Sequence, residues 1–142
     1  MSKLEAFLAG DRPDDVALFL THDYLDEQGK IANYGEDVPG GVVLVVPGDE
    51  GRRMFAAGTG TDAMRFAGGA MGTEGEIDPD LDGGACPDAE PGEDHSARFV
   101  FAFAEERNEE VGGIYAEGDV IHAYAQCECG VAYSDRWVAG AR

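Results

Sequence analysis

The stretch that decides the fold is Ala97–Ala104, which reads ARFVFAFA. Its three phenylalanines alternate with smaller residues, and this two-residue period is typical of a half-buried β-strand. Two more apolar stretches, 111–116 and 120–125, flank the glycine-centred connection Glu117-Gly118-Asp119, which suits a hairpin. The last third of the chain therefore predicts a meander of three antiparallel strands.

Towards the N-terminus, strands and helices are both expected. The runs VALFL (16–20) and VVLVV (42–46) are short, apolar and bounded by Pro or Gly, as buried strands are. Helical spacing of apolar residues predicts a short first helix ending at Gly10, a second helix that Asp49 caps, and a third that starts at Thr61. The predicted class is α+β, with a few short helices packed on an antiparallel sheet.

Residues 1–142 are expected to form a single domain, since the length suits one core and no composition break divides the chain. The segment 73–96 stands out because it holds nine acidic residues and neither lysine nor arginine. A polar segment of this length is expected to be a long acidic loop or an insertion, and such loops are commonly functional or mobile.

The charge of the whole chain is extreme, with 29 acidic residues against 10 basic ones and a net charge of −19. Only Lys3 and Lys30 are lysines. Hydrated carboxylates keep a protein dissolved at high salt, whereas long lysine stems add apolar surface that concentrated salt makes adhesive. At about 1 M salt the Debye length is only ~3 Å, so self-repulsion is largely screened. The composition indicates a halophilic protein rather than a mimic of nucleic acid.

The start of the chain, MSKLEAFLAG, lacks the basic and then apolar order of a signal peptide. The longest purely aliphatic run, 42–46, is far shorter than the ~20 residues of a membrane helix. An odd number of cysteines, three, argues against a secreted disulfide framework. We therefore expect a cytoplasmic protein that does not enter a membrane.

The sharpest chemical signal is Cys127-Glu128-Cys129-Gly130, which directly follows a predicted strand. Two thiolates one residue apart can face the same ion if the chain turns tightly, and Gly130 permits such a turn. This resembles half of a zinc knuckle. Cys86 is the expected third ligand, and His95, in the same acidic segment, is the expected fourth. A zinc site of this kind would hold the acidic segment against the end of the meander.

His122 is the rival for the fourth position. In a regular strand it shares a face with Val120 and Tyr124, whereas Cys127 falls on the opposite face. His95 is therefore the preferred ligand. Two other interpretations of the cysteines stay open: they are ordinary buried thiols, or Cys127 and Cys129 form a strained, easily reduced redox pair.

A second feature is the stretch from 51 to 72, which is not acidic. Its charged residues are Arg52, Arg53 and Arg65 and a single acid, Asp62. Such an arginine surface could contact RNA, a nucleotide or an acidic protein. The simpler interpretation, in which these arginines pair with nearby acids, is favoured. No Walker or dinucleotide fingerprint is present.

As a whole, the chain resembles an uncharacterised family of small haloarchaeal proteins, a domain of unknown function. The resemblance rests on KLEAFLAGDRPDDVALFL, GGVVLVVPG, FAAGTGTDAMRFA, EVGGIYAEGD and HAYAQCECG, and it covers nearly all of the chain. It implies a halophilic archaeal cytoplasm and no established activity.

Three functions follow from these features. The leading hypothesis is a non-catalytic module, stapled by zinc at Cys86, His95, Cys127 and Cys129, that binds another macromolecule, with Arg52, Arg53 and Arg65 as the first surface to test. The alternative is a small zinc- or thiol-dependent enzyme that uses Cys127 and Cys129 directly. A third hypothesis is a regulator that binds a nucleotide or another small ligand near the glycine turns.

Overall fold

A computed structural model gives the fold of the chain. It describes residues 3–12, 14–21, 41–78, 81, 84–88, 95 and 97–140, and the backbone alone at 36–38. The statements below concern these residues.

The fold is built on one antiparallel sheet whose six strands run in the order β2-β3-β1-β6-β7-β8. These strands are β1 (Asp15–Thr21), β2 (Glu36–Val38), β3 (Gly41–Pro47), β6 (Ala97–Glu105), β7 (Val120–Cys127) and β8 (Ala132–Val138). A separate two-stranded ladder pairs β4 (Glu76–Ile77) with β5 (Gly84–Ala85). The helices are α1 (Lys3–Leu8), α2 (Gly48–Thr59), α3 (Ala63–Ala70) and α4 (Ile114–Glu117). The expected α+β class is confirmed.

The two predicted N-terminal strands form as expected and lie at the centre of the sheet. In β1, Leu18 lies opposite Leu44 of β3 on one side and opposite Phe101 of β6 on the other. All three side chains are buried. Their strands read as continuous apolar runs because both faces of the sheet are covered.

The predicted C-terminal meander is present, but one of its strands was wrongly assigned. Residues 111–116 do not form a strand: 111–113 are non-helical, 114–116 belong to α4, and the third strand is β8. Gly112 and Gly113 have positive φ angles of 77° and 59°, which a pleated strand cannot accommodate. The sequence VGGIYA has the composition of a strand, but its glycines turn the chain away from the sheet.

Helices α2 and α3 cover one face of the sheet with an aromatic cluster. The ring centroid of Phe99 in β6 lies 5.3 Å from that of Phe55 and 5.1 Å from that of Phe66, both at steep interplanar angles. Edge-to-face pairs of this kind add to the free energy gained by burying the rings. This packing fixes α3 over the sheet, where it contacts strands β7 and β8 and forms one wall of a cleft described below.

Helix α1 and part of the acidic segment cover the other face. Leu4 and Phe7 of α1 pack into this second core, and Gly10, with φ of 88°, ends the helix region as predicted. The predicted cap of α2 was wrong: Pro47 occupies the N-cap, and Asp49 lies in the first turn, where its charge favours the helix dipole. The cap of α3 is Asp62, whose carboxylate accepts a hydrogen bond from the Arg65 N–H.

The described part of the acidic segment 73–96 contains the β4–β5 ladder and several buried residues. Ile77, Leu81 and Cys86 are buried in the core on the α1 side of the sheet. The start of the segment runs along the sheet edge, because the Gly75 N–H donates to the Ser134 carbonyl and the Ser134 N–H donates to that of Thr73. Its buried apolar residues therefore anchor the segment, while its described acids, Glu74, Glu76, Asp78 and Asp88, are exposed. None of the described helices has the length and apolarity needed to span a bilayer.

Candidate metal centre

The hairpin between β7 and β8 presents two of the three cysteines. The Cys127 N–H donates to the Val131 carbonyl at 2.8 Å, and the Gly130 N–H donates to the Cys127 carbonyl at 3.0 Å. Gly130 has φ of 98°, a conformation that favours glycine, so it supplies the tight turn that the sequence indicated. Cys127 is buried at the end of β7, and Cys129 is exposed in the turn.

Cys86 arrives from the acidic segment, one residue after β5. The β4–β5 ladder that carries it is fixed to the edge strand, since the Ile77 N–H donates to the Asp135 carboxylate at 3.1 Å. Tyr133 of β8 fills the space beneath this ladder so closely that a methyl group on Gly75 or Gly84 would overlap its ring or hydroxyl. These contacts fix the position of Cys86 relative to the hairpin between β7 and β8.

The four predicted ligands, Cys86, His95, Cys127 and Cys129, come together at this point. Their ligand atoms all lie within 4.8 Å of one another, and the Sγ atoms of Cys86 and Cys129 are 3.7 Å apart. In a tetrahedral zinc site with Zn–S bonds of ~2.3 Å, two sulfurs are separated by about 3.8 Å. The cluster therefore has the size and donor set of a tetrahedral site for a thiophilic metal ion.

Two of the thiols accept backbone hydrogen bonds in the same local pattern. The Asp88 N–H donates to the Cys86 sulfur, and the Cys129 N–H donates to the Cys127 sulfur, each two residues downstream. A donor aimed at a sulfur stabilises its thiolate, which is the form that binds metal. Both segments therefore hold a cysteine in a turn suited to a bound thiolate.

The thiol pKa values differ because the environments differ. Burial raises the pKa of Cys127 to about 12, against the lowering effect of the Cys129 N–H. At Cys86 burial is also the largest single influence, but hydrogen bonds with His95, Asp88, Cys127 and Cys129 together outweigh it and lower the pKa. Burial and the nearby Cys127 and Cys86 raise the pKa of the Tyr133 hydroxyl. An ion that supplied positive charge would remove the cost of ionising these buried thiols.

His122, the rival ligand, lies away from this cluster. It is on the face of the sheet that α3 covers, where its Nε2 is 2.8 Å from the Glu105 carboxylate. Its ring stacks on Phe103 with centroids 5.1 Å apart. The alternation of side chains along β7, which favoured His95 in the sequence, correctly separated His122 from Cys127.

The three arginines of the predicted partner surface are exposed. Arg52 forms an ion pair with Asp49, and Arg53 Nε donates to the carbonyl of the same aspartate at 3.3 Å. Arg65 lies in the first turn of α3. The pairing of Arg52 agrees with the simpler interpretation of this stretch.

The sequence did not predict a cleft of about 740 Å³ that lies between α3, α4 and strands β6–β8. Its polar residues include His122 and Arg136, neither of which stands in a motif. They face each other only because β7 and β8 pair in this register, with His122 directly opposite Arg136. One indication of this cleft was present in the sequence: His122 and Tyr124 were expected to lie on the same face of a strand.

The chain belongs to DUF5807, a family of unknown function, whose model matches residues 35–140. This match confirms the expected membership of an uncharacterised family, and it includes all four candidate ligands. No curated protein and no solved structure shows significant similarity to the chain. The halophilic setting stays a prediction from composition.

Proposed function

We propose that the protein is a non-catalytic module in which zinc, bound by Cys86, His95, Cys127 and Cys129, staples the acidic segment to the β7–β8 hairpin. The observation that carries this proposal is the convergence of four donor atoms within 4.8 Å from two distant parts of the chain. Among the described residues, these three cysteines and one histidine form a cluster with the ligand types of a zinc site.

Zinc is favoured over other ions by the donor set. Three thiolates and one imidazole are soft or borderline ligands, which suit zinc and disfavour magnesium or calcium. The 3.7 Å separation of the Cys86 and Cys129 sulfurs matches a tetrahedral edge. Three thiolates and one zinc ion leave a net charge of −1, far smaller than the −3 of the thiolates without the ion, which suits the partial burial of the site.

A structural role is favoured over a catalytic one because four protein donors fill a tetrahedral ion. A catalytic zinc normally keeps one position for water or substrate. The site also joins a segment with little apolar content to a rigid hairpin, which is where a staple adds most to folding.

The exposed arginines Arg52, Arg53 and Arg65 are the proposed contact for the macromolecular partner, an RNA or an acidic protein face. They lie on helices α2 and α3, which pack on the opposite face of the sheet from the metal site. Exposed guanidinium groups in a chain of −19 are suited to polyanions. We place the protein in the cytoplasm of a salt-accumulating cell, on the strength of its acidic, lysine-poor composition.

An enzyme that uses the thiols is the second candidate, and one observation favours it. Cys129 is exposed, its sulfur lies beside that of Cys86, and the pKa of Cys86 is lowered. Such a pair could cycle between dithiol and disulfide with an external thiol or disulfide as co-reactant.

Purification in high salt followed by metal analysis separates the two candidates. One tightly bound zinc per chain, with unfolding of the protein when a chelator removes it, supports the structural module. A metal-free chain whose thiols oxidise reversibly supports the thiol enzyme and contradicts the zinc staple.

Capture of partners from a high-salt lysate tests the arginine surface. The bait is the full chain, and the matched variant carries glutamine at Arg52, Arg53 and Arg65. We expect the variant to lose the nucleic acid or acidic protein that the wild-type chain retains. Equal capture by both baits contradicts the arginine surface and leaves the zinc proposal standing.

A further inference from the structure

The cleft on the α3 side of the sheet is a second candidate site, independent of the metal centre. It encloses about 740 Å³, within the ~300–1,000 Å³ range of small-molecule sites. The floor is formed by strands β6, β7 and β8, one wall by α3, and the end by Tyr115 of α4. It lies across the sheet from Cys127, because His122 and Cys127 point to opposite faces of β7.

A row of three side chains crosses the floor. Phe103 lies opposite His122, which lies opposite Arg136, so the three occupy adjacent positions on β6, β7 and β8. Glu105, two residues beyond Phe103, holds His122 through the 2.8 Å contact to Nε2. Strands fix such positions more rigidly than loops do.

Arg136 is the notable member of this row. The described part of the chain places no carboxylate within ion-pair distance of its guanidinium, although the chain carries 29 acids. Instead the guanidinium lies 5.9 Å from the centre of the Tyr115 ring and donates to the Tyr115 hydroxyl at 3.3 Å. These contacts orient the group over the cleft without neutralising it.

The acids that line the cleft are engaged elsewhere or face solvent. Glu105 is bound to His122. The two carboxylate oxygens of Asp135 accept hydrogen bonds from the N–H groups of Ile77 and Arg136. Glu74 is exposed at the rim. The guanidinium of Arg136 is therefore the charge best placed to meet a ligand, and it selects an anion.

The wall opposite this row is apolar. Met64 and Met71 of the α3 region are 52% and 66% exposed, which is high for residues of their size. Methionine side chains are flexible and polarisable, so they can close over an apolar body. Across from them, Phe103 provides an aromatic surface. The cleft thus pairs one fixed cation with an apolar lining.

We propose that this cleft binds a small organic carboxylate with an apolar body. The carboxylate forms an ion pair with the Arg136 guanidinium and accepts hydrogen bonds from its N–H groups. The apolar body lies between Phe103 and the two methionines. This is a binding site that functions whether or not the arginine surface on α2 and α3 engages a partner.

Calorimetric titration of the zinc-loaded full chain with phenylacetate tests the proposal. We expect saturable binding of one molecule, with affinity at least about tenfold higher than for phenylethanol or phenylethylamine, because only the carboxylate meets Arg136. Acetate, which lacks the apolar body, should bind at least about tenfold more weakly than phenylacetate. Equal affinities for the acid and the alcohol, or a preference for the amine, overturn the proposal.

Three variants at arginine positions locate the binding. Arg136→Gln should weaken phenylacetate binding by about tenfold to a hundredfold, while Arg136→Lys, which keeps the charge, restores part of it. Arg98→Gln, at an exposed arginine of β6 that does not line the cleft, should leave the affinity unchanged. Circular dichroism and zinc content check that each variant is folded. Unchanged binding in Arg136→Gln contradicts the assignment.

Discussion

The sulfurs of Cys86 and Cys129 lie 3.7 Å apart although 43 residues separate them in the chain. One sulfur is carried by the acidic segment and the other by the turn between β7 and β8. Without an ion, two thiols gain little from this approach; with one, they become adjacent ligands of a tetrahedron. The central claim, that a metal ion fastens the acidic segment to the sheet, rests on this relationship and the two ligands beside it.

Removing zinc should loosen the acidic segment before the sheet. With free zinc a thousandfold above its Kd, binding adds about 4 kcal/mol to the free energy of unfolding. A chelator should abolish this gain and increase amide exchange at residues 73–88, while exchange in β1 and β3 changes least, because those strands are buried on both faces. Hydrogen exchange with and without chelator measures this; uniform changes across the sheet contradict it.

Replacement of His95 and replacement of His122 should have very different effects on the affinity of the chain for zinc. Outer-shell partners of a metal typically change affinity by about 10- to 100-fold, so His95→Ala, which removes a direct ligand, should cost about a hundredfold or more. His122→Ala is the matched control, because His122 lies on the other face of the sheet, beside Glu105. Competition with a chromogenic chelator gives both constants. Equal losses in the two variants would show that the ligand set is wrong.

Zinc binding should weaken as the pH falls. The thiols must lose their protons to bind, and burial raises the Cys127 pKa to about 12, so this thiol is protonated in the metal-free fold at neutral pH. Lower pH favours the protonated ligands and higher pH favours the complex. Each chain should release about two to three protons per zinc near pH 7. Titrations in buffers of different ionisation enthalpy count them, and a count near zero contradicts thiolate ligation.

A glycine in α2 tests the packing that positions the helical layer. A methyl group at Gly51 would overlap the Val16 side chain of β1 and press on Val46 of β3. Gly51→Ala should therefore lower the free energy of unfolding by about 1–3 kcal/mol. Gly69→Ala in α3, where nothing lies within 4 Å, should raise it by up to about 1 kcal/mol. Chemical denaturation of the two variants measures the contrast, and equal effects would contradict this packing.

The sequence predicted the central strands well because their apolar runs admit few other interpretations. The strand expected at 111–116 does not form. Its apolar composition favoured a strand in the sequence, but two glycines with positive φ angles redirect the chain. The four metal donors were predictable because thiols are scarce and their spacing limits the options, and strand alternation then excluded His122. The cleft around Arg136 was not predictable, since its residues meet only through the pairing of β6, β7 and β8.

X-ray absorption at the zinc edge of the zinc-loaded chain tests the central claim most directly. We predict a four-coordinate ion with three sulfurs at about 2.3 Å and one nitrogen at about 2.0–2.1 Å. A first shell of oxygen and nitrogen without sulfur, or a chain that takes up no zinc, would contradict the staple at Cys86, His95, Cys127 and Cys129.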